Sequence, residues 1–225
     1  MHTFQATGTM PTAYPPSSTP SPSDICTKSP KVCIFDIDNT LTVGAQHKCS
    51  LIANGRQPAW PDNSGSTDSI RSAVRACHES GFKIGVASAE TKAEETNEKQ
   101  ISFLRSLDPT PSNPSVFDDS FFAGAAFQGA WTVLADVDQN KEFLPNFGGG
   151  IGGKQAMFLN ILKHYDVPMA CYGKSVVFDD QTENLCAAHS LGIKSIQSSP
   201  ECGGMYCDYG CGITAASVEA IKNLQ

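Results

Sequence analysis

Two carboxylates two residues apart close a short apolar run in "KVCIFDIDNTLT", at Asp36 and Asp38. The pattern repeats in "KSVVFDDQ", where Asp179 and Asp180 end a second apolar run. Buried carboxylates carry a heavy desolvation cost unless they are paired or metal-bound. Two acidic ends at one sheet edge would repel each other, and a hard divalent cation with oxygen ligands resolves this, Mg²⁺ being the natural choice. Taken alone, Asp38, Asn39 and Thr40 could equally make a turn and cap a helix. A hydroxyl, Ser88, ends a third apolar run in "FKIGVASAE". "FGGGIGGKQ" offers a cation, Lys154, at the G-x-x-x-x-G-K spacing of a nucleotide-binding loop. That motif needs a hydroxyl after the lysine, and Gln155 has none. It also needs an apolar strand before the glycines, whereas "DQNKEFLPN" is polar and broken by Pro145. Lys154 therefore opens a helix without a nucleotide cradle, where solvent exposure is the ordinary expectation.

The elements that must position these groups alternate. "KVCIFDI", "FKIGVASAE", "KSVVFDD" and "IKSIQ" read as buried strands, and "FFAGAAF" as a weaker one. Between them, "STDSIRSAVRACHESG" has Ile70, Val74 and Cys77 on one helical face and Gly81 as its stop. "ETKAEETNEKQISFLRSL", "KQAMFLNILKHYDVP", "QTENLCAAHSLG" and "TAASVEAIKNL" are also expected helices, with Met157, Ile161 and Leu162 facing inward and Gly192 as a stop. Strands alternating with helices predict an α/β fold, a Rossmann-like parallel sheet covered on both faces. Ligands in such sheets bind at the carboxyl ends of the strands, where Asp36, Asp38, Ser88, Asp179 and Asp180 all fall.

In this order the four elements resemble the haloacid dehalogenase superfamily, in its phosphatase branch. The matching motifs are D-x-D-x-T at Asp36 to Thr40, the strand ending in Ser88, Lys154 at a helix start, and the acidic pair Asp179-Asp180, spanning about residues 31–197. The resemblance implies a Mg²⁺-dependent phosphatase acting through an aspartyl phosphate. Asp36 would be the nucleophile and Asp38 the general acid and then base. Asp36, Asp38 (through its carbonyl), Asp179 and Asp180 would hold the metal. Ser88, Lys154 and Thr40 would bind the phosphoryl group, Thr40 also fixing the loop after the nucleophile.

Composition bounds the rest. The chain has 225 residues, suited to one domain, and 40% hydrophobic and 17% charged residues describe a soluble globular protein. A net charge of −7 without a basic run argues against nucleic-acid binding, and no apolar stretch is long enough to span a membrane. Residues 1–30 read as a flexible Pro/Ser/Thr-rich tail, and 31–225 as the folded domain with loop insertions near 43–68 and 128–153. These insertions are too short for a helical cap, so the expectation is a minimal cap or none and an open cleft. His47, Arg56 and Trp60 in the first insertion could reach a substrate. The N-terminus shows no secretory signal, which leans toward an intracellular protein.

Of nine cysteines, Cys33, Cys77 and Cys186 read as buried free thiols. Cys202, Cys207 and Cys211 form a cluster expected to be a disulfide-tied or cysteine-lined loop, since zinc would need a fourth ligand. The resemblance implies a phosphorylated substrate, its class left open. The competing function is a catalytically weak protein of the same fold that acts as an interaction or scaffold module, with the Pro/Ser/Thr tail and the cysteine-rich loop as contact surfaces.

Overall fold

The structure, a computed structural model, describes residues 22–41, 68–88, 94–110, 115–129, 154–198, 213 and 215–224. Among these, five strands form one wholly parallel sheet: β1 (Val32–Phe35), β2 (Lys83–Ser88), β3 (Phe127–Gly129), β4 (Val176–Asp179) and β5 (Lys194–Gln197). Their order is β3-β2-β1-β4-β5, with β1 central. All four residues of β1 and of β4 are buried, as expected for strands covered on both faces. The fold is an α/β, Rossmann-like sheet flanked by helices.

Side-chain alternation sorts each strand between two cores. Cys33, Phe35, Val86, Val176 and Phe178 join one core, into which helix α2 (Asp68–Glu79) sends Ile70, Ala73, Val74 and Cys77. Helix α3 (Glu94–Ser106) adds Phe103 and Leu104 there. Val32, Ile34, Ala87 and Val177 join the other, under helix α5 (Gln155–His164) with Met157, Phe158, Ile161 and Leu162. Gly85 of β2 lets α5 lie close: a Cβ there would stand 2.5 Å from Ile161 Cγ2. A methyl group at Gly85 would therefore displace Ile161, and α5 with it. Gly81 after α2 and Gly192 after helix α6 (Thr182–Ser190) both have φ of +77°, the left-handed turn that ends a helix and favours glycine. Helix α7 (Ala215–Lys222) packs against α2 and buries Ile221 in the first core.

Three expectations change. Residues 22–28 are not flexible tail but helix α1 (Pro22–Lys28). This helix is tied to the 3₁₀ turn Met169–Lys174 by a Cys26–Cys171 disulfide, and Lys174 Nζ donates to the Cys26 carbonyl at 2.6 Å. That lysine satisfies a carbonyl in the last turn of α1, where a cation is favourable. Second, Cys33 and Cys77 are not free thiols but a disulfide joining β1 to α2, and Cys186 is exposed rather than buried. Third, "FFAGAAF" is not one strand. Asp118 caps a short helix α4 (Asp119–Ala123) by accepting the Phe121 N–H at 2.9 Å, and β3 starts only at Phe127. The capping carboxylate outweighs the β-propensity of the two phenylalanines. Residues 1–21, most of the two insertions (43–67 and 130–153), His47, Arg56, Trp60, Cys49 and the Cys202/Cys207/Cys211 cluster lie outside the described residues.

Candidate active site

Asp36 follows directly on β1, and its N–H extends the ladder to the Phe178 carbonyl at 2.9 Å. By strand parity, Ile34 and Asp36 face the α5 side of the sheet, as do Val177 and Asp179 on β4. The N-terminus of α5 comes to this edge and brings Lys154 into the same layer. Lys154 Nζ forms ion pairs with Asp36 Oδ1 and, at 2.9 Å, with Asp179 Oδ2. Asp36, Asp179, Asp180 and Lys154 are each at most 5% exposed. One oxygen from each of Asp36, Asp179 and Asp180 lies within 4.8 Å of the others, so the three could hold a single metal ion. On the opposite face of the sheet, the register-paired Phe35 and Phe178 stack with centroids 5.0 Å apart.

The chain then turns through a π-helical segment, Ile37–Leu41, anchored by buried Ile37 and Leu41. Thr40 shares a 2.8 Å hydrogen bond with Ser198 Oγ, and its carbonyl accepts the Ile213 N–H at 2.9 Å. Ser198 N in turn donates to the Asp179 carbonyl at 3.0 Å. Thr40 thus ties the turn after Asp36 to the end of β4, a use that suits fixing this loop better than touching phosphate. Asp38 is half-buried on that turn, more open to water than Asp36. Ser88 is buried at the end of β2, two residues beyond the Val86 that pairs with Phe35.

Two supporting residues, on α6 and its approach, carry no pattern of their own in the sequence that marks them. Asn184 donates to Asp179 Oδ1 at 3.0 Å and accepts the Lys154 N–H at 3.2 Å. The Gln181 N–H also donates to Asp179 Oδ1, at 2.9 Å, while its side chain donates to Asp180 Oδ2 at 2.7 Å. A helix start directly after an acidic pair is the signal that could have found them, because its N–H groups and first-turn amides face those carboxylates.

The electrostatics are lopsided. Burial pushes the Asp36 carboxyl well above the usual range; Lys154 opposes this, but Asp179, Asp180 and Asp38 push it further up. Burial and then Asp179 likewise raise Asp180. Burial alone would lower Lys154, but Asp179 and Asp36 outweigh it and hold it above an ordinary lysine, firmly charged. One buried ammonium does not neutralise this many carboxylates, and a metal ion held by Asp36, Asp179 and Asp180 would offset the rest.

This has a testable sign. A carboxyl whose folded pKa is raised weakens the fold as pH climbs from the unfolded pKa through the folded one. In EDTA, Asp180→Asn should therefore melt a few degrees above the unsubstituted protein near pH 7, and the gain should shrink toward pH 4. Thermal melts across pH read this directly. A substituted protein that is less stable at pH 7 would contradict the lopsided charge.

No protein-family model and no curated protein matches the sequence. Among solved structures, the chain is similar to an uncharacterised protein from Listeria monocytogenes serotype 4b, at 15% identity and a TM-score of 0.46, over 86% of this chain and 98% of that one. It is also similar to a candidate HAD-like phosphatase from Mesorhizobium loti, at 11% identity and a TM-score of 0.41, over 87% and 88% of the two chains. A hypothetical protein from Xanthomonas campestris follows at 14% identity and a TM-score of 0.40, over 96% and 94%. With TM-scores below 0.5, none of these likenesses says more than the sheet topology already does. No helix among the described residues is long and apolar enough to cross a membrane.

Proposed function

We propose that the chain is a Mg²⁺-dependent phosphatase that hydrolyses phosphoric monoesters through an aspartyl phosphate on Asp36. One observation carries the reading: a buried cluster of Asp36, Asp179 and Asp180, with Lys154 bridging Asp36 and Asp179, at the carboxyl edge of a parallel sheet. Those three carboxylates, with the Asp38 carbonyl, would hold Mg²⁺. When bound, Mg²⁺ would offset their charge and that of a phosphoryl group, leaving Asp36 ionised.

The residues of the chain then divide the chemistry. An Asp36 carboxylate oxygen attacks phosphorus, an O–P bond forms, and the bond from phosphorus to the leaving oxygen breaks. Asp38 gives its proton to that oxygen, so the alcohol leaves neutral. Its half-buried position suits the task, since it must meet both the leaving group and water. Asp38 next takes a proton from water, which attacks phosphorus and frees Asp36 together with inorganic phosphate. Lys154, charged and aimed at Asp36, would stabilise the equatorial oxygens, with Ser88 as a hydroxyl donor.

The test is a panel of sugar phosphates, nucleotides, phospholipid headgroups, phosphopeptides and an aryl phosphate, each with Mg²⁺ and with EDTA. Mg²⁺-dependent release of phosphate from at least one is expected. Mg²⁺ binding with no release from any would favour the interaction-module reading instead.

A further inference from the structure

Asn184 stands in the first turn of α6 and touches two different parts of the site with the two ends of one amide. Its Nδ2 donates to Asp179 Oδ1 at 3.0 Å, and its Oδ1 accepts the Lys154 N–H at 3.2 Å. Only one orientation of the amide satisfies both, because a carboxylate can only accept and an N–H can only donate. Lys154 Nζ returns to Asp179 Oδ2 at 2.9 Å, closing a ring of three residues.

The ring has two consequences. Asp179 Oδ1 already receives two donors, Asn184 Nδ2 and the Gln181 N–H at 2.9 Å, so Oδ2 is the oxygen left for Lys154 and for a cation. Lys154 is also the residue from which α5 starts, and its own side chain makes no capping bond there. Its N–H belongs to the first turn, where intrahelical partners are missing, and Asn184 supplies one from a neighbouring helix. A lysine reaches its target through a flexible four-carbon stem, so holding its backbone restricts where the ammonium can stand. A second link, Gln155 Nε2 to Ser190 Oγ at 2.6 Å, joins α5 to the far end of α6.

We infer that Asn184 is a positioning residue: it selects the Asp179 oxygen offered to the cation and sets the place of Lys154 beside Asp36. The inference rests on the phosphatase reading only where it concerns turnover.

The experiment pairs calorimetric titration with Mg²⁺ alone and steady-state kinetics on an aryl phosphate, for the unsubstituted protein, Asn184→Ala and Asn184→Asp. Asn184→Ala loses both bonds, and Mg²⁺ affinity and kcat should each fall by about 10–100-fold, the usual consequence of removing a residue that orients a metal ligand. Asn184→Asp keeps the acceptor for the Lys154 N–H but sets a like charge against Asp179. It should recover part of kcat relative to Asn184→Ala while remaining below the unsubstituted protein. Thermal melts in EDTA separate this from a structural role. If Asn184→Ala melts lower yet its folded fraction keeps Mg²⁺ affinity and kcat, the positioning role is overturned. Mg²⁺ binding without turnover in the unsubstituted protein defeats the phosphatase reading alone, and the affinity comparison still decides Asn184. No Mg²⁺ binding by the unsubstituted protein defeats both.

Discussion

Asp36→Asn is expected to abolish phosphate-ester turnover, with a loss of roughly 10⁴-fold or more, because Asp36 is the group proposed to form the covalent intermediate. The loss should be catalytic rather than structural. Asp36 is buried, and its ionised form is opposed first by desolvation and then by three neighbouring carboxylates. A neutral amide of the same shape relieves that repulsion, while Lys154 keeps Asp179 as an ionic partner. The variant should therefore fold, and in EDTA it should melt no lower than the unsubstituted protein. Asp38→Asn should leave a larger residue of activity, down by ~10²–10⁴-fold, since it removes proton transfer but not the nucleophile. Release of p-nitrophenol from an aryl phosphate ranks the two variants. If Asp38→Asn were the more damaged, the assignment of roles would be reversed.

The second large effect is on stability and comes from the disulfides. Cys26–Cys171 closes a loop of 145 residues and Cys33–Cys77 one of 44. In the chain-entropy account these restrict the unfolded chain by about 5 and about 4 kcal/mol. The smaller loop lies inside the larger, so the joint effect is less than the sum. Against a total stability of about 5–15 kcal/mol, either loss is large. The Cys26→Ser/Cys171→Ser double variant should lose on the order of 2–5 kcal/mol, read from denaturant unfolding. It should keep its activity while folded, because the ion pairs of Lys154 run to Asp36 and Asp179 and not to α1 or the Met169–Lys174 turn. Peptide mapping without reduction should recover the two linked pairs. Such bonds persist in oxidising compartments. That outcome would turn localisation away from the intracellular lean of the bare sequence.

The site was legible in the sequence because strand ends are. Apolar runs that stop at Asp36, Ser88 and Asp179 could hardly be anything but buried strands, and a parallel sheet brings such ends to one edge. Lys154 was legible for a weaker reason, a glycine-rich stretch before an amphipathic helix, and strand parity explains why it meets Asp36 and Asp179. What escaped depends on contacts between distant residues. Cys26 and Cys171 are separated by most of the chain and carry no spacing pattern, so neither their bond nor α1 could be read locally. Cys33 and Cys77 each look like ordinary core positions, which they are; only the packing of α2 on β1 pairs them. The strand expected across "FFAGAAF" failed because one capping carboxylate, Asp118, decided the local structure. Asn184 escaped because an asparagine in the first turn of a helix is common, and its role exists only once α5 is docked beside it.

The most direct test follows Asp36 through one turnover. The protein is mixed with Mg²⁺ and a phosphate ester that it hydrolyses, quenched in acid within a turnover, and mapped by peptide mass. One phosphoryl group is expected on Asp36, released by hydroxylamine and missing in Asp36→Asn. Steady turnover with Asp36 never modified, and with Asp36→Asn fully active, would contradict it.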